Sequence, residues 1–266
     1  MPSARQLKRQ WIAQWSSMLQ YRGNLFMWLF AEAMSPLVAG MVWYAVVAHA
    51  KTGVASQDIL TYYVMLIVLN NLVTTADGYF FAQEIMDGTL AQALVRPFPV
   101  LEKYVVRTLT EKSFYLLLSV PIITILLIVF PHVLSPTIVQ PAHLFLFIPS
   151  AILAMSLYFI LDVVMGSFAF WVEDANEIRR FKFLFESVAS GLLIPFILLP
   201  PWAKTFFAAL PFRYMLSAPL EILLGQVPFT QALQLLGIQV VWIGVLSGCL
   251  TVLWYRGVKR YVVPGQ

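Results

Sequence analysis

Four carboxylates stand inside or beside long apolar runs of the chain: Glu32, Asp77, Asp162 and Glu186. An acid held in lipid is expensive, and its usual employments are proton relay or a place on a substrate path. Asp162 is the deepest in its run, and a proton-coupled carrier would be built on it. Asp77 and Glu186 lie close enough to the cytoplasmic ends of their runs to reach water, and Glu32 is about two turns into the first. A carrier also calls for several acids at one depth and for internal repeats, and neither is visible along the chain. His49, His132 and His143 are too scattered to suggest a metal centre. The single cysteine, Cys249, has no disulfide partner in the chain and reads as a small packing residue.

Other chemistries lack their motifs. The sequence holds no phosphate-cradling GxxxxGK[ST] loop, no HExxH, no CxxC and no GxSxG. If the protein moves something uphill with ATP, the ATPase is another chain. Asp87-Gly88-Thr89-Leu90-Ala91 resembles the start of the DGxxAR motif of the CDP-alcohol phosphotransferases. Gln92 stands where that motif has Arg, and nothing near Leu101, Val105 and Leu109 supplies its later glycine and aspartates. Without clustered carboxylates there is no place for the metal that membrane-embedded phosphotransfer needs.

These residues are positioned by elements that belong in a bilayer. Of 266 residues, 60% are apolar and 11% charged, with a mean hydropathy of +0.80; soluble domains run at about 45–50% apolar and about 25% charged. That excludes an ordinary water-soluble enzyme, and a net charge of +4 indicates no basic patch for nucleic acid. The fold class expected is an all-α polytopic membrane protein with lipid as its main surroundings. A bilayer core about 30 Å thick needs about 20 apolar residues in helix. Six runs meet that length, at about 25–50, 59–81, 113–131, 143–172, 183–200 and 232–255.

Lys and Arg accumulate on the cytoplasmic side of a membrane protein. With the N-terminus inside, six spans place fourteen of the 17 basic residues in cytoplasmic segments and only Lys51, Lys204 and Arg213 outside. Both termini are therefore expected in the cytoplasm. Residues 1–24 lack the compact apolar core of a signal peptide. Leu7, Trp11, Trp15 and Met18 fall on one helical face, which suits an interfacial helix; a basic tail before the first span is the plainer alternative. Between the second and third spans, 83–112 is the longest strongly polar stretch, with a short amphipathic helix that Pro97 must end or kink. The segment 201–226 is too broken by proline to span and too apolar to float in water, as a re-entrant helical pair at the outer leaflet would be. In the last span Gly244 and Gly248 make a small-xxx-small pair, for which packing within the subunit is expected.

The organisation resembles the permease subunit of type-2 ABC transporters. The resemblance covers nearly the whole chain. It rests on the basic amphipathic N-terminus, on Glu84-Ile85, Gly88-Thr89-Leu90 and Leu94-Val95-Arg96-Pro97 after the second span, and on Leu210-Pro211-Phe212-Arg213-Tyr214, Pro219 and Gly225 before the sixth. The subgroup it looks most like is a poorly characterised bacterial one that often works as two related permeases with one ATPase. The resemblance implies a bacterial inner-membrane exporter with a cytoplasmic ABC ATPase and a second permease, homodimeric or paralogous, as partners. It implies no cofactor in this chain, with ATP and Mg on the ATPase, and substrates that are lipid-like, glycan or drug-like. Residues 84–97 would be the coupling helix. In that role Gly88 would permit close approach, Leu90 and Leu94 would fill a groove on the ATPase, and Glu84 and Arg96 would pair at its rim before Pro97 ends the helix.

Overall fold

The computed structural model describes residues 11–13, 15, 16, 20, 22–50, 53–94, 100–129, 141–172 and 175–261, and among them all regular structure is helical. The long helices are α1 (Arg22–His49), α2 (Ser56–Val73), α5 (Glu102–Val129), α6 (Pro141–Ser167) and α10 (Phe229–Arg260). Shorter ones are α3 (Asp77–Met86), α4 (Leu90–Leu94), α7 (Ala175–Ala189), α8 (Pro201–Ala208) and α9 (Ser217–Leu223). By length and apolarity, four stretches among the described residues can cross a membrane: Phe30–His49, Ser56–Met86, His143–Phe170 and Phe229–Arg260. Their large exposed side chains, among them Phe30, Met41, Phe145, Val241 and Val245, are what lipid-facing surfaces present.

The central helix is α6, on which α10, α3, α9 and α2 all pack. Its buried residues divide into two cores. Ala154, Leu157, Tyr158 and Leu161 join α2, α9 and α10 in one. Val163 and Val164 join Phe81, Ile85, Leu90, Tyr104 and Phe170 in the other. Phe81 is the hub of the second core, with Tyr104, Phe170 and Trp254 around it at ring separations of 5.8, 6.2 and 5.9 Å. Asp162 lies on α6 at the step from one core to the other.

Two expected spans are broken. The second, 59–81, runs through α2 and α3 with a non-helical link at Thr74–Ala76. Freed carbonyls inside a membrane must find donors. Here the Lys112 ammonium reaches in from α5 and donates to Asn71 O at 2.9 Å and to Thr74 O. The fifth, 183–200, is not a continuous helix: α7 stops at Ala189, and Gly191 turns the chain at φ +90°. Its freed carbonyls are covered by side chains from three other elements. Tyr62 donates to Gly191 O at 2.9 Å, and Tyr63 and Trp43 each donate to Leu193 O at 2.8 Å. Ser217 donates to Ser190 O through both its backbone N–H, at 3.0 Å, and its hydroxyl, at 2.7 Å. These donors lie far away in sequence, so hydropathy along one run could not reveal that the run would unwind.

The third expected span lies within α5 up to Val129 and continues beyond the described residues. The segment 201–226, expected at the outer leaflet, is the pair α8 and α9, joined by a 3-10 turn at Pro211–Met215. In α9, Ala218, Leu220 and Ile222 are wholly buried. Gln239 of α10, also wholly buried, donates to Ser150 O at 3.1 Å and Tyr214 O at 2.8 Å, binding α6, α10 and the turn together. Of the N-terminal face, Leu7 and Met18 lie outside the described residues, whereas Trp15 packs edge-on against Phe114 of α5 at 5.4 Å. Two expectations for the last span are corrected. Among the described residues nothing comes within 4 Å of a Cβ added at Gly244 or Gly248, so no described part of the chain packs on them, and Cys249 is exposed.

Candidate functional site

The polar segment after the second span forms an elbow of α3, a turn and α4. Helix α3 ends because Gly88 adopts φ +76°, a left-handed conformation that a side chain would resist. The Asp87 N–H bonds to Gln83 O at 2.8 Å and the Gly88 N–H to Ile85 O at 3.3 Å, closing the last turn. Gly88 thus serves the turn itself.

Leu90 is fully buried against the chain's own second core, so its side chain holds the elbow down instead of reaching a partner, contrary to the sequence-based expectation. Glu84 is likewise engaged, in an ion pair with Lys103 of α5. Burial, and next the Glu84 charge, push the neighbouring Tyr104 phenol above its ordinary range. Leu94, by contrast, is 37% exposed, and with Asp87, Thr89 and Gln92 it makes the open tip of the elbow. Arg96 and Pro97 lie outside the described residues.

At the other end of α3, a buried charge cluster fastens the elbow to the rest of the molecule. The Asp77 carboxylate accepts the Thr108 hydroxyl and stands 3.9 Å from Arg107 Nε, while the Arg107 guanidinium lies 3.4 Å over the Phe80 ring. The next residue, Gly78, donates its N–H to Asp162 Oδ2 at 2.7 Å. That bond is possible because α3 and α6 meet backbone to backbone. A Cβ on Gly78 would come within 2.5 Å of the Asp162 carbonyl carbon, and one on Gly166 within 3.0 Å of Gly78 Cα. On its other side Asp162 Oδ1 faces Lys182 Nζ of α7 at 3.4 Å. Lys182 Nζ also stands 3.0 Å from Glu186 Oε2 and 4.3 Å over the Tyr158 ring.

Three of the four acids singled out in the sequence therefore converge. Asp77 and Glu186 do not reach water within the chain as expected: they are 2% and 4% exposed, as closed off as Asp162 at 2%. Lys182, expected among the solvated cytoplasmic basic residues, is buried between two of them. Only Glu32 stays apart, half-buried on α1. The i,i+4 spacing of Lys182 and Glu186 was a visible signal for that pair. Nothing local announced Arg107 as the partner of Asp77. Among the described residues no group of His, Cys, Asp and Glu is arranged to hold a metal ion. The cluster is a knot of ion pairs and hydrogen bonds, with cations set against its acids.

Residues 33–265 match the model of a family described as ABC-2 family transporter protein. The chain belongs to the ABC-2 transporter family. It is accordingly a multi-pass membrane protein and a permease component of an ABC transporter, a part that transports and does not itself catalyse. This replaces the proton-carrier reading of Asp162 and the phosphotransferase reading of Asp87-Gly88. No curated protein and no solved structure matches the chain. The matched region takes in the elbow, the buried cluster and the outer helix pair of this ABC-2 permease.

Proposed function

We propose that this permease is the membrane half of an ATP-driven exporter and that the elbow formed by α3 and α4 receives the movement of a separate ATPase. The reading rests on one feature of the elbow: its tip, at Asp87, Thr89, Gln92 and Leu94, is open, while its base is bonded into the molecule through Asp77 and Gly78. A helix carrying force needs a free end for the motor and a fixed end for the load. The ATPase holds the ATP and Mg²⁺, and this chain adds no cofactor.

In the same reading α5, and α7 continued to Pro200, make two further crossings, six in all. Both termini and the elbow then face the cytoplasm of a bacterial cell, in its inner membrane, because the basic residues gather there. A second permease, identical or related, completes the route, and the cargo is lipid-like, glycan or drug-like. The test is co-purification with a co-expressed ABC ATPase. Leu94→Asp should remain in the membrane with an unchanged melting profile yet lose the ATPase. Leu90→Asp should lose the folded elbow itself, because it places a charge in the second core. Undiminished ATPase recovery with Leu94→Asp would overturn the assignment of the elbow.

A further inference from the structure

The polar contacts of Asp162 join α3 to α7, which also touch where the Arg179 guanidinium of α7 lies 4.9 Å over the Tyr79 ring of α3. Oδ2 takes the Gly78 N–H at the base of the elbow, and Oδ1 faces Lys182 on α7. Lys182 in turn faces Glu186, one turn further along α7. From the first residue past the end of that helix the chain is unwound: Ser217 at the start of α9 holds the Ser190 carbonyl, Tyr62 that of Gly191, and Tyr63 and Trp43 that of Leu193. An unbroken run of bonded groups therefore leads from the cytoplasmic elbow, through Asp162 and α7, to the outer helix pair. Between the two joints the part of α7 from Lys182 to Ala189 is a stiff rod about 10 Å long.

We propose that Asp162 is a positioning residue: its carboxylate couples the base of the elbow to α7, and α7 carries the elbow's displacement to the outer pair α8 and α9. This rests on the coupling reading above. It assigns to Asp162 a mechanical task in place of a protonic one, and it gives the buried Lys182 the role of the rod's inner joint. Removing one member of a buried pair strands the charge of the other, so the joint should respond strongly to single changes.

The two faces of the carboxylate make the inference separable from general loss of structure. Amide hydrogen exchange of the full chain in lipid nanodiscs reads both ends. Asp162→Ala should speed exchange by about tenfold or more in both α3 and the stretch from Glu186 to Leu193. Asp162→Asn keeps an oxygen for the Gly78 N–H but turns an amide N–H toward the Lys182 ammonium, donor against donor. It should therefore free Glu186–Leu193 while α3 keeps its protection to within about threefold. Lys182→Met combined with Glu186→Gln, which removes the joint and leaves no second stranded charge, should reproduce the Asn pattern. Equal acceleration in all helices, α10 included, or an unchanged Glu186–Leu193 stretch in the Asn variant, would overturn the proposal.

A second readout uses the ATPase complex in a Cys249→Ala background, with a Trp202→Cys reporter on α8. The parent complex should change its reporter labelling rate on adding ATP; Asp162→Asn should hydrolyse ATP and lose that change. Retention of the change by the variant would again overturn the proposal. If the parent chain binds no ATPase, the coupling reading falls, while the exchange pattern still decides whether Asp162 joins α3 to α7.

Discussion

Replacing Gly78 with alanine should be strongly destabilising, because α3 and α6 meet there backbone to backbone. The new Cβ would sit 2.5 Å from the Asp162 carbonyl carbon and 2.9 Å from Asp162 Cγ. Carbon atoms pack at about 3.5–4.0 Å, so α3 has to withdraw by about 1 Å or more. Overpacking of that kind costs about 1–3 kcal/mol. The withdrawal also stretches the 2.7 Å bond from the Gly78 N–H to the Asp162 carboxylate, and a hydrogen bond to a charged group contributes about 1.5–3 kcal/mol. Against this, alanine is a better helix former than glycine by about 0.5–1 kcal/mol. The net loss expected is about 2–5 kcal/mol. Gly244→Ala is the control, because an added Cβ there meets nothing within 4 Å and should be neutral or mildly stabilising. The measurement is unfolding by SDS in mixed micelles, followed by far-ultraviolet circular dichroism. If the Gly78 and Gly244 variants unfold within about 0.5 kcal/mol of one another, the close crossing of α3 on α6 does not exist as described. Gly166→Ala should behave like Gly78→Ala, and the double variant should lose less than the sum, since both methyl groups separate the same two helices.

Arg213 and Glu221 form a pair at 2.8 Å in the outer segment, each with a side chain no more than 13% exposed. Arg213→Ala should cost about 3–5 kcal/mol by stranding the carboxylate, and adding Glu221→Gln should recover much of it in the same unfolding assay. Gln239→Leu should cost about 1–3 kcal/mol, because the Tyr214 and Ser150 carbonyls lose their buried donor. For orientation, in a Cys249→Ala background, Lys204→Cys should label from outside intact cells and Arg180→Cys, at a side chain 75% exposed, only after permeabilisation. The reverse pattern would invert the topology. Lys182 is unsuitable as the inner marker because it is buried.

The short helices of 201–226 were legible in the sequence because local signals mark them, and the elbow was legible only in part. The polar run after the second apolar stretch was visible, but 84–97 read as one helix, which Gly88 at φ +76° breaks in two; the prolines at 200, 201, 211 and 219 announced that 201–226 could not span. The partners of the acids were not legible. Asp162 meets Gly78 across 84 positions, and Leu193 meets Tyr63 across 130. Periodicity also misread Leu90 and Leu94 as equivalent: both lie on the apolar side of a short helix, but only one of them has Phe81 and Tyr104 behind it.

Composition and charge placement by themselves determined that this is a helical, multi-pass membrane protein, because the cost of burying polar backbone in lipid leaves few other ways to build with 60% apolar residues. The resemblance to the ABC-2 permeases came from motifs read along the chain. Only the tertiary structure decided which apolar residues face the chain's own core and which face outward, since hydropathy is the same for both. It likewise decided where the second and fifth stretches unwind and that Lys182 lies between Asp162 and Glu186. A helix breaks inside a membrane only where another element brings donors to the freed carbonyls, and a buried charge persists only where another element brings its counter-charge. Both conditions are set by how the helices pack.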